Sequence, residues 1–294
     1  MQPRVSIVMA ARNAANYIGE ALSSIDPALG HSDLTYEVVL ADGQSTDPTL
    51  AIATSFPGVR LVSHRDGGIY DGMNRAVAAA EGEFVIILNS DDLLLPGSLV
   101  KLVGALSLHE GGGAASGGIK FGSNAGPAAA LEKLVPLSSS GLLFGVPAIN
   151  ARLFRRSFLD RLGPFRTDIG LGADRELLLR ALRIGMQGLA VEGAVYFYRT
   201  HAGSHTLSSD SAGRVRIYES DLQLASALLA DASLSSLERL DTRAYLAIAR
   251  VKIRRLAQSN GCVRRQDTME RTRALDLIRG LRHYFHWRGV LSGF

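Results

Sequence analysis

Four short apolar segments recur in the first third of this 294-residue chain, and their spacing limits the fold more than any other feature. They begin near residues 5, 36, 59 and 84, so that successive segments start 31, 23 and 25 residues apart. Gaps of this length accommodate one crossover helix each, which makes neighbouring strands parallel and their connections right-handed. The sequence therefore predicts an α/β protein with a mostly parallel, doubly wound sheet, of which this region forms half.

Residues that begin helices lie between these segments. Asn13 is a candidate N-cap for a helix that extends to Ile25, and Asp47 followed directly by Pro48 predicts the start of a second helix. A third helix is expected over residues 69–80. These helices would supply the crossovers between the parallel strands.

The pattern weakens beyond a helix predicted at residues 96–107. The glycine-rich stretches 111–118 and 122–126 predict a mobile loop, which is either a lid over a ligand or a passive surface excursion. Regular structure is expected to resume at residues 151–162. It continues with a helix at 174–184, a strand at 189–197 and several helices between 214 and 285.

Composition narrows the class of protein. Hydrophobic residues make up 47% of the chain and charged residues 20%, as in globular proteins. The single cysteine, Cys262, excludes an internal disulfide framework and fits a reducing compartment. The sequence after Met1 lacks the pattern of a signal peptide, and no apolar run reaches the roughly 18 residues of a membrane span. We expect a cytoplasmic protein that is soluble or peripheral on the inner face of the cell membrane.

The fourth apolar segment, Phe84–Leu88, leads directly into Asn89, Ser90, Asp91 and Asp92. Two adjacent carboxylates at the end of a buried strand repel each other unless a positive group lies nearby. A divalent cation held by one or two carboxylates and by phosphate oxygens is one such group, and open α/β sheets bind ligands at this edge. The alternative is a turn in which both carboxylates are solvated and cap the next helix.

Polar residues also follow the other three strands, as Arg12-Asn13, as Asp42–Asp47 and as His64–Gly68. Because the strands are parallel, all four sets are expected at one edge of the sheet, where they suit a base, a ribose and a cation. The chain has no G-x-x-x-x-G-K-[ST] and no G-x-G-x-x-G after the first strand. This disfavours a Walker-type nucleotidase and a dinucleotide oxidoreductase, and it leaves phosphates to be held by a metal.

Several motifs follow one another along the chain, namely Val5-Ser-Ile-Val-Met-Ala-Ala-Arg-Asn13, Ala41-Asp-Gly-Gln-Ser-Thr-Asp47, Asp66-Gly-Gly-Ile-Tyr-Asp-Gly-Met-Asn74, Leu88-Asn-Ser-Asp-Asp92, Arg155-Arg-Ser, Gly163-Pro-Phe, Ala173-Asp-Arg-Glu-Leu-Leu-Leu-Arg180 and Tyr198-Arg-Thr-His-Ala-Gly-Ser204. In this order and spacing they closely resemble the family 2 glycosyltransferases of the GT-A fold. The similarity spans about residues 4–100 and resumes at about 143–206.

Members of that family are inverting enzymes that use nucleotide-sugar donors and usually Mg²⁺ or Mn²⁺. The resemblance implies transfer of a hexosyl or N-acetylhexosaminyl group from a UDP-sugar or other NDP-sugar. The acceptor would be a glycan or a lipid-linked sugar, in the synthesis of cell-surface polysaccharide or glycoconjugate. It also implies a GT-A catalytic domain over residues 1–209. The nucleotide-binding half would be 1–108, the acceptor-binding half 109–209, and a basic helical region would occupy 210–294.

The resemblance assigns roles by position. Asp174 corresponds to the catalytic base, which takes the proton of the acceptor hydroxyl in an inverting transfer. Asp92 corresponds to a metal ligand, and His201 is a second candidate, since imidazole suits Mn²⁺ better than Mg²⁺. The positions of nucleotide-sugar contacts are Ala11, Asn13, Asp42, Asp66, Asn74 and Asp91.

Four of these roles have a structural alternative. Asp42 and Asp66 would stabilise turns, Asp174 would interact with a helix dipole, and His201, like His205, would be an ordinary surface histidine. The chain also departs from the family: Asn89 stands where many members have aspartate, and Ala148–Ala151 replaces their His-Gln pair. The change at Asn89 reduces the number of carboxylates available to a cation. The change at 148–151 leaves the identity of the acceptor open.

The basic character of the chain is concentrated at its end. Residues 241–294 hold 12 Lys/Arg against 4 Asp/Glu, whereas residues 1–240 have a net charge of −4. Seven arginines lie within residues 262–288, with Tyr284, Phe285 and Trp287 close by, and basic residues with aromatic ones are typical of a helix on an anionic membrane surface. A helix packed on the catalytic domain and an oligomer contact are the alternatives. Nucleic acid is not expected as a partner, because no recognition motif accompanies the charge.

Two other functions compete with sugar transfer. A sugar-phosphate nucleotidyltransferase would share the sheet and the acidic site, but it needs a glycine-rich loop after the first strand, where Ala10–Asn13 contains no glycine. A non-catalytic nucleotide-sugar-binding protein would use the same contacts without a base.

Overall fold

The four apolar segments form the parallel part of one eight-stranded sheet. The computed structural model describes residues 3–63, 67–123, 138–201, 203 and 211–259. The strand starts predicted from the sequence are confirmed, and Val5 is in register with both Tyr36 and Phe84. These strands are β1 (Val5–Ala11), β2 (Tyr36–Asp42), β3 (Val59–Ser63) and β4 (Phe84–Ile87).

The other four strands make the sheet mixed. They are β5 (Leu93–Leu94), β6 (Ala114–Gly122), β7 (Arg152–Arg155) and β8 (Gly188–Arg199). The order across the sheet is β3-β2-β1-β4-β7-β6-β8-β5. Strand β7 is antiparallel to both β4 and β6, β8 is parallel to β6, and β5 is antiparallel to β8. The continuous run of parallel strands, β3-β2-β1-β4, therefore ends at β4.

Helices cover both faces of the sheet. Two of their starts differ from the prediction. The helix expected from Asn13 begins only at Ile18, because Asn13 has a φ of +52° and its side chain bonds to another loop. The helix expected at Pro48 begins at Thr49, whose N–H donates to Asp47 Oδ1 at 3.1 Å. The helices are α1 (Ile18–Ser23), α2 (Ile25–Leu29), α3 (Thr49–Thr54), α4 (Ile69–Ala79), α5 (Ser98–Ser107), α6 (Ser139–Phe144), α7 (Arg156–Leu162), α8 (Ala173–Arg183), α9 (Ser211–Ala230) and α10 (Ser236–Ser259).

The prediction of a mobile loop over residues 111–118 is wrong. Most of this stretch belongs to β6, which lies between β7 and β8 in the interior of the sheet. Small residues are required there: a Cβ atom on Gly117 would lie 2.4 Å from Cγ1 of Val195. A run of glycine and alanine thus permits a close approach of strands and does not indicate mobility. Of residues 122–126, those after 123 lie outside the described residues.

Helices α9 and α10 complete the apolar core on one face of the sheet. Leu224 and Leu228 of α9 and Tyr245 of α10 belong to the same buried cluster as Val8 of β1 and Leu177 of α8. The division of the chain at residue 209 stays a prediction. The basic stretch 262–288 lies outside the described residues. None of the helices in the described part of the chain has the length and apolar character needed to cross a membrane.

Candidate active site

The loops after β1 and β2 are joined by hydrogen bonds. Ala11, at the end of β1, is paired with Asp42, at the end of β2, and its carbonyl accepts the N–H of Gly43 at 2.9 Å. Asn13 donates its N–H to Ser45 Oγ at 2.9 Å, and its side-chain oxygen accepts the N–H of Thr46 at 2.8 Å. The three residues expected to contact the nucleotide here, Ala11, Asn13 and Asp42, therefore lie side by side.

Asp42 stabilises its own loop. Its side chain is buried, and its carboxylate accepts the N–H of Ser45 at 3.1 Å and the Ser45 hydroxyl at 2.6 Å. This is the turn-forming role considered as the alternative for Asp42. A ligand contact is compatible with it, since a carboxylate has about four lone-pair positions.

Asp92 faces the protein interior after β4. Its side chain is 1% exposed, and its carboxylate accepts hydrogen bonds from the Tyr196 hydroxyl at 2.8 Å, the Asn89 amide at 3.0 Å and the Arg199 N–H at 2.8 Å. Burial, together with the negative charge of Asp91, raises the pKa of Asp92 to about 7, against the lowering effect of these hydrogen bonds. This placement does not suit the metal-ligand role expected for Asp92, because the carboxylate is enclosed and its oxygens are already engaged.

Asp91 instead points outward and meets His201. Its Oδ2 lies 3.0 Å from Nε2 of His201, and its side chain is 32% exposed. Arg199 fixes the backbone here, since its Nε donates to the Asp91 carbonyl at 2.8 Å. The ring of Tyr17 packs against that of His201 with centroids 4.5 Å apart. The Arg199 guanidinium lies 5.1 Å from the centroid of the Tyr17 ring. The structure thus pairs two of the residues expected to contact the donor and the metal.

Asp91 and His201 are joined by a hydrogen bond between Oδ2 and Nε2, which are 3.0 Å apart. Two neighbouring ligands of a six-coordinate ion, each about 2.1 Å from it, would be about the same distance apart, but Nε2 binds a cation only after it has lost its proton. Gly203 donates its N–H to Nδ1 of His201 at 3.1 Å, which assigns the ring proton to Nε2 in this arrangement. Among the described residues no group of three or more His, Cys, Asp or Glu side chains is placed to hold a metal. A cation bound by this pair would need further ligands from phosphate or water.

Asp174 lies in the first turn of α8. A short turn of 3-10 helix, Gly170–Gly172, precedes it. The side chain is partly exposed, and its Oδ1 accepts the N–H of Arg175 at 2.6 Å. Desolvation by the surrounding protein raises the pKa of Asp174, although the positive charge of Arg175 acts in the opposite direction. A carboxylate with a raised pKa at an accessible position is suited to act as a general base.

Tyr70 is the neighbour of Asp174 from α4. Burial and the negative charge of Asp174 raise the pKa of Tyr70 well above its usual value. The hydroxyl donates to the carbonyl of Leu171 at 3.3 Å, and the ring lies 5.5 Å from that of Phe165. Because α4 follows β3, this contact places Asp174 next to the edge at which the parallel strands end.

Arg175 connects the start of α8 to the two C-terminal helices. Its guanidinium lies 3.5 Å from Asp221 of α9, donates to the hydroxyl of Tyr245 of α10, and donates to the carbonyl of Gly145 at 3.0 Å. It also lies 5.3 Å from the centroid of the Tyr245 ring. The residue next to the candidate base is therefore held by helices that follow the region of family resemblance.

Asn74 ties α4 to the loop before α8. Its amide nitrogen donates to the carbonyl of Phe165 at 2.9 Å, and its amide oxygen accepts the N–H of Phe165 at 2.8 Å. The amide group thus contacts protein backbone on both sides, as a residue that positions the Gly163-Pro-Phe loop. Asp66, the other donor contact expected here, lies outside the described residues, as does His205.

The family model for glycosyl transferase family 2 matches residues 6–162, which contain the loops after β1, β2 and β4. The chain belongs to this family. Asp174 and His201 lie beyond the matched residues, so that their roles rest on the geometry of their surroundings.

A curated relative, the PGL/p-HBAD biosynthesis glycosyltransferase of Mycobacterium bovis (strain BCG / Pasteur 1173P2), is 38% identical over 114 residues. The match covers 37% of this chain and 43% of the relative, so the chain spans less than half the length of that protein.

Two solved structures share the fold. Residues 1–349 of S. aureus TarS, in complex with UDP-GlcNAc, superpose with a TM-score of 0.65 at 20% identity, over 93% of this chain and 79% of that fragment. The mannosyltransferase PcManGT of Pyrobaculum calidifontis, in complex with GDP-Man and Mn²⁺, gives 0.63 at 20% identity, over 99% of this chain and 84% of that one. The family 2 chain thus has a GT-A fold, with a mixed sheet flanked by helices.

The sequence did not single out three residues that build the site: Tyr196, Arg199 and Arg175. Tyr196 and Arg199 hold Asp92 and the backbone of Asp91. Arg199 belongs to the Tyr198–Ser204 segment on which the resemblance rests, and its place close to His201 in that segment was the signal that could have found it. Arg175 follows Asp174 directly, but no pattern in α9 or α10 predicts that Asp221 and Tyr245 meet it.

Proposed function

We propose that this chain is an inverting, metal-dependent glycosyltransferase that moves a sugar from an NDP-sugar, a UDP-sugar first of all, to a glycan or lipid-linked acceptor. The observation that carries the proposal is the placement of Asp174, a partly exposed carboxylate with a raised pKa, against Tyr70 at the sheet edge where Asp42 ends β2 and Asp91 follows β4. This arrangement supplies a base, a nucleoside contact and an acidic group for a cation.

Asp174 acts as the general base. The acceptor oxygen forms a bond to the anomeric carbon of the donor sugar as the bond to the diphosphate oxygen breaks. The hydroxyl proton passes to Asp174, and the nucleoside diphosphate leaves with the electron pair. Attack on the face opposite the leaving group inverts the anomeric carbon.

Asp91 and His201 would hold the cation once Nε2 of His201 has lost its proton, in place of the Asp92 ligand expected from the sequence. A bound Mn²⁺ or Mg²⁺ would supply positive charge to the leaving diphosphate. Asp92 acts as a positioning residue, because it fixes Tyr196, Asn89 and the Arg199 backbone around Asp91. Two protein ligands leave most positions of the ion to the diphosphate, so metal and nucleotide should bind together.

The nucleoside lies against the joined loops of Ala11, Asn13 and Asp42. Asp42 contacts the base or ribose, and Asn74 supports the site from behind through Phe165. Asp66 remains a proposed donor contact on the strength of the resemblance alone.

The relatives support a nucleotide-sugar donor. TarS was solved with UDP-GlcNAc, and PcManGT with GDP-Man and Mn²⁺. We extend this to a hexosyl or N-acetylhexosaminyl donor and to cell-surface polysaccharide or glycoconjugate synthesis. The proposed location is the cytoplasm, with contact to an anionic membrane through residues 262–288.

Isothermal titration of UDP, GDP and dTDP, each with Mn²⁺ and with EDTA, tests the donor site. We expect one nucleotide to bind with Mn²⁺ and to bind at least tenfold more weakly with EDTA. Absence of binding by all three nucleotides would contradict the proposal.

Release of nucleoside diphosphate from the matching NDP-sugar separates the competing functions. A non-catalytic binding protein would bind the nucleotide without turnover. A nucleotidyltransferase would release pyrophosphate from a nucleoside triphosphate and a sugar 1-phosphate.

A further inference from the structure

A cavity of about 330 Å³ lies between α9, the start of α4 and the loop before α8. Its walls include Tyr70, Leu171 and four residues of α9, namely Arg216, Glu219, Ser220 and Gln223. The α9 residues are spaced so that they share one face of the helix. This cavity is formed partly by a helix outside residues 6–162, the part of the chain that the family model matches.

The α9 wall is held close to the loop by two glycines. Gly170 has a φ of +54°, and a Cβ atom there would lie 2.5 Å from Ser220 Oγ, while a Cβ on Gly172 would lie 3.1 Å from Cβ of Leu224. The N–H of Leu171 donates to Ser220 Oγ at 3.1 Å. These contacts fix the cavity relative to α8, which begins directly after Gly172.

The cavity lies beside the candidate base. Tyr70 lines it and also feels the negative charge of Asp174, which raises its pKa. Leu171, the acceptor of the Tyr70 hydroxyl, is three residues before Asp174 and lines the cavity as well. Asp174 itself does not line the cavity, which meets the candidate base only through its neighbours Tyr70 and Leu171. A sugar ring in the cavity would therefore be an acceptor unit beyond the one that carries the reacting hydroxyl.

The lining favours an uncharged, hydroxyl-rich ligand. Arg216 and Glu219 are both exposed and carry opposite charges, and Gln223 offers a donor and an acceptor. A phosphate or carboxylate ligand would meet Glu219, whereas a neutral sugar can bond to all three side chains. The volume lies at the small end of ligand sites, which run from about 300 to 1,000 Å³.

We propose that this cavity binds a sugar ring of the acceptor next to the one that reacts, and that α9 selects the acceptor through Arg216, Glu219 and Gln223. The inference rests on the proposed function, because it takes Asp174 as the base. It assigns acceptor specificity to α9, outside the region shared with the family model.

Saturation-transfer difference NMR with methyl glycosides of glucose, galactose, mannose and N-acetylglucosamine tests this site, with the full chain, UDP and Mn²⁺. We expect at least one glycoside to bind. Arg216→Ala should weaken its binding about three- to tenfold, the effect of one lost hydrogen bond, and Gln223→Trp, which fills the cavity, should abolish it. Arg214→Ala is the matched control, since Arg214 is exposed on the other side of α9 and does not line the cavity.

Titration of UDP into each variant distinguishes the two proposals. If UDP binds the wild type but none of the glycosides does, or if the glycosides bind the three variants equally, the acceptor cavity is refuted and the donor site stands. If the wild type binds none of the nucleotides, the proposed function itself fails. Loss of glycoside binding in Arg214→Ala to the same degree as in Arg216→Ala would also overturn the inference.

Discussion

Oδ2 of Asp91 lies 3.0 Å from Nε2 of His201, across 110 residues of sequence. The contact joins the loop after β4 to the segment after β8, and Arg199 bonds to the carbonyl of Asp91 beside it. Asp92, although adjacent, faces the interior and is enclosed by hydrogen bonds. The two neighbouring carboxylates therefore have different surroundings: Asp91 meets His201 at the surface, and Asp92 is enclosed by the protein.

Asp91→Ala and Asp92→Ala should affect different properties, nucleotide binding in the first case and stability in the second. Asp91→Ala should weaken Mn²⁺-dependent UDP binding at least tenfold and change the unfolding free energy by less than about 0.5 kcal/mol, as expected for a surface residue. Asp92→Ala should lower the unfolding free energy by about 1–3 kcal/mol, because the buried Tyr196 hydroxyl loses its acceptor. Titration calorimetry and urea unfolding measure the two quantities. The reverse pattern would return the ligand role to Asp92.

Asp174→Asn should lower kcat for sugar transfer by about 10²–10⁴-fold, while UDP affinity stays within twofold of the wild type. The base works only when ionised, so wild-type kcat/KM should fall as pH falls through the raised pKa of Asp174, at a pH above the 3.8 of a free carboxyl. A raised folded-state pKa also means that stability decreases as pH rises through it. Asp174→Asn should thus be at least as stable as the wild type at pH 7. Loss of UDP binding in this variant would refute the assignment.

Arg175→Met should move the acid limb of the kcat/KM profile to higher pH and lower kcat, with the KM for donor unchanged. The reason is that the positive charge of Arg175 lowers the pKa of Asp174, and its removal leaves burial unopposed by that charge.

Arg183→Met is the control for that change. Arg183 also joins α8 to the C-terminal region, through Asp231 at 2.8 Å and Glu238 at 3.2 Å, but it lies at the other end of the helix. Equal shifts of the pH profile in both variants would show that Arg175 acts only by holding the helices together.

Gly117→Ala should destabilise the protein by about 1–3 kcal/mol, because its Cβ would meet Val195 at 2.4 Å inside the sheet. Gly104→Ala, in the exposed interior of α5, has no atom within 4 Å of the added Cβ and should stabilise by about 0.5–1 kcal/mol. Thermal unfolding of both variants measures these two changes in stability. Equal stability of the two would mean that β6 does not occupy the interior of the sheet.

The parallel half of the fold was predictable because its signals are local. Buried strands such as Phe84–Ile87 are continuous apolar runs, and residues such as Asp47 mark where a helix begins. The position of β6 was not predictable in this way. Its glycines indicate a loop when only neighbours in sequence are considered, and the requirement for small residues appears only when Val195 lies against Gly117.

The residue types of the site were predictable, but not their arrangement. The acidic pair after β4 indicated a charged site, yet which carboxylate faces outward depends on Tyr196 and Arg199, about a hundred residues later. In the same way, the surroundings of Asp174 depend on Asp221, which Arg175 holds close to the start of α8. Long-range packing decides these points, and sequence spacing does not contain it.

The hydrogen bonds that join the β1 and β2 loops would affect the binding of a nucleoside. Asn13 and Asp42 both bond to Ser45, so the two loops lose their conformational freedom when the chain folds and not when it binds. A ligand at this wall meets a preorganised surface, and ordering it adds no entropic cost to association. A nucleotide at this wall would then exchange for another without any rearrangement of the two loops.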